Sequence, residues 1–68
     1  MGANLKLRRE RVFHDITQYE MAKTAGISCT SYSNREAGKI EFKLNEVRAI
    51  AKKLGLSDEQ VRDIFFAE

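Results

Sequence analysis

Apolar residues recur along the chain at helical rather than alternating spacing, and Gly, Ser and Thr cut the recurrence into short pieces. From about Asn4 to Phe13, Leu5, Leu7 and Val12 sit among charged neighbours and predict a basic first helix, ended by His14-Asp15. Thr17-Gln18-Tyr19-Glu20 has the spacing of a capping box, in which the hydroxyl accepts from the amide three residues on and the carboxylate reaches back. A second helix therefore starts at Gln18, with Met21, Ala22 and Ala25 on one face. Gly26 follows where a left-handed residue ends a helix without steric cost. Ser28 is the predicted cap of a third helix, from Cys29 to about Glu36 or Ala37, closed by Gly38. Leu44, Val47, Ile50, Ala51 and Leu54 mark a fourth, ended by Gly55, and Ser57-Asp58-Glu59-Gln60 opens a fifth whose inner face is Val61, Ile64 and Phe65. The pattern contains no strand, repeat or low-complexity tract.

The third helix is the odd one. Ser and Thr compete with the backbone for hydrogen bonds, so a segment rich in them needs a tertiary reason to be helical, and its one large apolar group is Tyr32. The stretch from Gln18 to Gly38 combines a helix of about two turns, a glycine-containing turn and a second short helix, the spacing of a helix-turn-helix. Met21, Ala25, Ile27 and Tyr32 fill the wedge between these helices, and Ala22 and Gly26 are small where they approach. The outer face of the third helix, Cys29, Thr30, Ser33 and Asn34, carries small hydrogen-bonding groups without bulky charge. A helical hairpin of no particular function is the plain alternative.

Length and composition narrow the possibilities. Sixty-eight residues make one domain, 1–68, with the helix-turn-helix at about 17–37, and 43% hydrophobic against 32% charged residues supports a packed core over disorder. One cysteine forms no internal disulfide, and no His or Cys cluster has ligand spacing, so neither a metal nor another cofactor is expected and no catalytic constellation is visible. No apolar run nears the ~20 residues of a membrane span and no signal-peptide core follows Met1, which points to the cytoplasm. Gly2 raises N-myristoylation, but Arg8 and Arg9 already lie within a helical pattern and lipidation is not expected. Net charge is only +2, yet residues 1–13 carry Lys6, Arg8, Arg9 and Arg11 against Glu10, whereas residues 57–68 carry Asp58, Glu59, Asp63 and Glu68 against Arg62. One end suits phosphates and the other repels them.

Thr17-Gln18, Met21-Ala22, Ala25-Gly26-Ile27-Ser28, Tyr32-Ser33-Asn34, Glu36 and Gly38, followed by the Leu44 to Leu54 helix, together resemble the Cro and phage-repressor type of helix-turn-helix domain, the XRE family, over about residues 5–65. Tyr-Ser-Asn-Arg-Glu-Ala-Gly-Lys at 32–39 and the closing Asp-Ile-Phe-Phe are similar to small regulators from prophages and mobile elements of Gram-positive bacteria. The resemblance implies an all-α, compact, five-helix, lambda-repressor-like fold and a regulator that binds double-stranded operator DNA, repression being expected over activation. It places Cys29, Thr30 and Asn34 at base-reading positions, with Ser33 on the same face, and Gln18 and Ser31 at positions that hold the phosphate backbone. It also implies an ion pair between Arg11 and Glu36. An Asn amide pairs in bidentate fashion with adenine, and Thr30 and Cys29 offer groups to a base edge or thymine methyl; solvated hydroxyls are the plain reading of Ser31 and Ser33.

Arg35 stands where the family commonly has an apolar residue. Either its stem lies over the core with the guanidinium at a phosphate, the expectation adopted, or the third helix packs loosely there. Lys39, Lys43, Arg8 and Arg9 are also placed to reach phosphates, or are solvated charges. Cys29 reads as a small side chain at the DNA face rather than a redox sensor, and His14 as a surface residue. Phe66 directly follows Phe65 and is expected to point away from the core, next to Ile64 or Ala67: a homodimer contact setting two reading helices ~34 Å apart, or packing against the first helix of a monomer. The rival reading is a protein-interaction module, carried by Phe66 and the acidic end, that binds another regulator, an antirepressor or a toxin.

Overall fold

The computed structural model describes residues 3–66, so expectations about Gly2, Ala67 and Glu68 lie outside the described residues. The described chain is helical without strands: α1 (Leu5–Phe13), α2 (Gln18–Ala25), α3 (Cys29–Glu36), α4 (Leu44–Leu54) and α5 (Asp58–Val61), which runs on through a π-helical turn, Arg62–Phe66.

Side-chain caps set most of these boundaries. Asn4 accepts from the Leu7 amide at 3.0 Å, Thr17 from Glu20 at 3.1 Å, Ser28 from Ser31 at 3.1 Å and Ser57 from Gln60 at 3.2 Å. Glu20 returns the bond to the Thr17 amide at 2.9 Å, and that backbone bond holds its carboxyl below the usual range. α4 opens instead on Lys43, whose amide donates to Glu46 at 3.0 Å. Gly26 (φ +75°) and Gly55 (φ +68°) end α2 and α4 in the left-handed conformation that a Cβ would strain.

The core gathers Leu7 from α1, Met21, Ala22 and Ala25 from α2, Tyr32 from α3, Ile50 and Leu54 from α4 and Ile64 from the last turn. α2 lies against both α3 and α4. Tyr32, Phe42 and Phe65 stack edge to face in sequence, with centroids 5.9 and 5.4 Å apart, which joins α3 to the chain's last turn through the α3–α4 loop. The apolar pattern misleads at three places, because Leu5, Val12 and Leu44 are each more than half exposed. α1 turns only Leu7 into the core and meets α3 largely through polar groups, and Leu44 is the first residue of α4, one turn short of its buried stripe. Asn4 also donates to the Ile64 carbonyl at 2.9 Å, tying α1's start to the π-turn, and its own amide donates to the Glu36 carbonyl at 2.8 Å. No helix among the described residues is long and apolar enough to cross a membrane.

Candidate nucleic-acid interface

The reason the polar α3 is helical lies on its inner face. Tyr32, fully buried, donates its hydroxyl to Glu36 at 2.6 Å. Arg11 of α1 grips the same carboxylate with two parallel bonds, Nε to Oε2 at 2.9 Å and Nη2 to Oε1 at 3.0 Å, and spends a third donor on the Ile16 carbonyl at 2.8 Å. Gln18 of α2 adds its amide to Oε1 at 3.2 Å. Glu36 is therefore the point where α1, α2 and α3 are bonded together. Burial pushes its carboxyl pKa up, but the bonds from Arg11, Tyr32 and Gln18 outweigh that and leave it below the ordinary range. Burial and the same carboxylate raise the Tyr32 phenol far above its usual value, so it stays a donor.

The outer face is different in kind. Cys29 and Thr30 are exposed, Ser33 and Asn34 half-buried, and their positions, four residues apart in pairs, put them on one side of the helix. Among the described residues none of these four side chains enters a hydrogen bond within the chain. Ser31 is instead drawn into the cap, its hydroxyl accepting from Ser28 at 2.9 Å. A shallow hollow lined by Arg8, Arg11, Gln18, Ser33, Glu36 and Ala37, with Ala3 and Asn4, brings Arg8 and Gln18 beside the outer face of α3. Arg9 is not brought there; it lines a separate hollow with Leu5, Arg8, Val12 and Phe13. Lys39 and Lys43 are exposed on the α3–α4 loop, and the Lys39 amide donates to the Asn34 carbonyl at 2.9 Å. Phe66 is 57% exposed.

Arg35 departs from the expectation of a phosphate contact. Its Nε donates to Glu46 at 2.9 Å and its Nη1 to the Ser31 carbonyl at 3.2 Å, with only 11% of the side chain exposed and 4% of its partner's. The guanidinium is engaged inside the protein, and α3 is not loosely packed at this position. Glu46 was invisible to sequence reasoning: it lies eleven residues from Arg35, and its capping role follows a lysine rather than the hydroxyl residue that signals a capping box. The Gln18 bond to Glu36 was also missed, since an N-terminal Gln on α2 reads as a surface donor.

A sequence model of the helix-turn-helix family matches residues 7–61, which takes in most of α1, all of α2 through α5 and the whole α3 face described above. Comparison with individually curated proteins returns no match.

Proposed function

This chain belongs to the XRE-type helix-turn-helix family of DNA-binding transcription regulators, and on that premise we propose that it is a single-domain, Cro-like or repressor-type protein that occupies operator DNA in the cytoplasm. α3 is the reading helix. Asn34, Thr30, Cys29 and Ser33 meet base edges in a major groove ~12 Å wide, and Gln18, Ser31, Arg8, Lys39 and Lys43 hold phosphates, with Arg9 at the margin of that surface. The observation that carries this reading is the division of α3 into an inner face fully bonded to its neighbours and an outer face whose polar groups are left to a partner.

The Cα extents are 27 × 25 × 21 Å, less than the ~34 Å between successive turns of one groove, so reading two half-sites takes two copies. Phe66, exposed on the last described turn, is the proposed contact between them.

Binding sites selected from random DNA, then titrated by fluorescence polarisation beside scrambled duplexes over a range of salt, test the proposal. Sequence preference is expected, with log affinity falling against log salt by about 0.9 per phosphate held. Equal affinity for every duplex at every salt concentration overturns it.

A further inference from the structure

Seven residues, 37–43, join α3 to α4, and both ends of this loop are fastened to one atom. Glu46 Oε1 accepts from the Lys43 amide at 3.0 Å and from Arg35 Nε at 2.9 Å, so the last turn of α3 and the first of α4 meet on a single carboxylate oxygen. Arg35 is itself held to its helix by the Ser31 carbonyl. At the α3 end the Gly38 and Lys39 amides donate to the Arg35 and Asn34 carbonyls at 3.1 and 2.9 Å, and near the α4 end Phe42 is clamped between Tyr32 and Phe65. The backbone that carries Lys39 and Lys43 is thus fixed in register with α3.

A buried ion pair is a poor way to gain stability, because well-packed apolar groups of similar volume serve as well. What the pair supplies and an apolar contact does not is direction: the planar guanidinium fixes where Glu46, and hence the Lys43 amide, must lie. We infer that Arg35 and Glu46 are positioning residues for DNA binding, holding the α3–α4 loop so that Lys39 and Lys43 reach phosphates while α3 lies in the groove; this rests on the DNA-binding reading above. Arg35 acts through the loop and does not touch DNA.

The experiment measures salt dependence on a selected duplex for wild type, K39A, R35M/E46L and the triple variant. In wild type, K39A is expected to lower the slope by about 1. In the R35M/E46L protein, folded by circular dichroism, the slope is already reduced by about 2 and adding K39A changes nothing further. Retention of the wild-type slope, or a K39A effect as large in that background as in wild type, overturns the inference. R35K, which keeps a cation beside Glu46 but not the planar guanidinium, is expected to give a K39A effect between those of wild type and R35M/E46L. If the apolar pair does not fold, E46Q keeps the shape and the acceptor but removes the charge; the K39A effect there is expected to fall by at least half, and an undiminished one overturns the inference. Wild type without salt-dependent affinity defeats the DNA-binding reading as well, whereas normal wild-type binding with an intact loop contribution in the variants defeats this inference alone.

Discussion

α3 and α4 both lean on α2, and different forces hold them there. α4 buries Val47, Ile50 and Leu54, an apolar stripe at spacings of three and four that any amphipathic helix would use. α3 buries one aromatic ring, whose hydroxyl is bonded, and one carboxylate, and it is held by Arg11, Gln18 and Tyr32 on Glu36 and by Arg35 on Glu46. An apolar stripe tolerates small rotations of its helix, because dispersion contacts are many and non-directional. Charge-assisted bonds at 2.6 to 3.0 Å do not. The proposed reading helix is the one fixed by directional bonds, and the helix that supports it is fixed by packing.

The strongest way to break this contrast is to remove the centre of the polar knot. Glu36→Ala strands the Arg11 guanidinium, 11% exposed, and the Tyr32 hydroxyl, and is expected to destabilise by about 3–5 kcal/mol in urea denaturation. Ile50→Ala in α4 leaves a cavity and is expected to cost about 2–5 kcal/mol. Loss of under ~1 kcal/mol on removing Glu36 would mean that packing, not the knot, holds α3.

Acid sharpens the difference between the two. The folded Glu36 carboxyl lies below its unfolded value near 4.5, so its contribution is complete above that pH and disappears as the pH falls through the folded value. Denaturation midpoints followed downward from pH 6 are expected to decline in wild type and in Ile50→Ala, and to decline less steeply in Glu36→Gln. Parallel curves for wild type and Glu36→Gln would contradict the assignment.

The smallest effect on stability belongs to the outer face. Asn34→Ala is expected to change unfolding free energy by no more than about 0.5 kcal/mol while relaxing preference at one base position by about 1–3 kcal/mol, read from titrations against single-base variants of the selected site. A stability loss matching that of Glu36→Ala would erase the division of α3 into two faces.

Local chemistry makes the helix boundaries legible in the sequence. Thr17, Ser28 and Ser57 announce N-termini, Gly26 and Gly55 announce ends, and each acts over three or four residues of chain. The outer face of α3 was legible for a similar reason, since helical periodicity alone groups Cys29, Thr30, Ser33 and Asn34. Arg11 and Glu36, by contrast, are 25 residues apart, and only family resemblance suggested that they meet. At Arg35, where the sequence departs from the family pattern, resemblance offered no partner, and Glu46, eleven residues on, carries no local signal that the two meet. Periodicity failed at Leu5, Val12 and Leu44 because an apolar residue at helical spacing does not reveal whether anything lies opposite it.

The Asn4 bond to Ile64 spans 60 residues, and its separation bears on the order in which the molecule assembles. Closing so long a loop carries an entropic cost that nothing offsets until the intervening helices are already collapsed. α2, α3 and α4, neighbours in sequence, are therefore expected to dock first, and α1 to join with the final turn. Arg11 arrives with α1. On that route α3, the proposed reading helix, exists before its aim is set, and by that proposal a partly folded chain with α3 formed would still be unable to select a sequence.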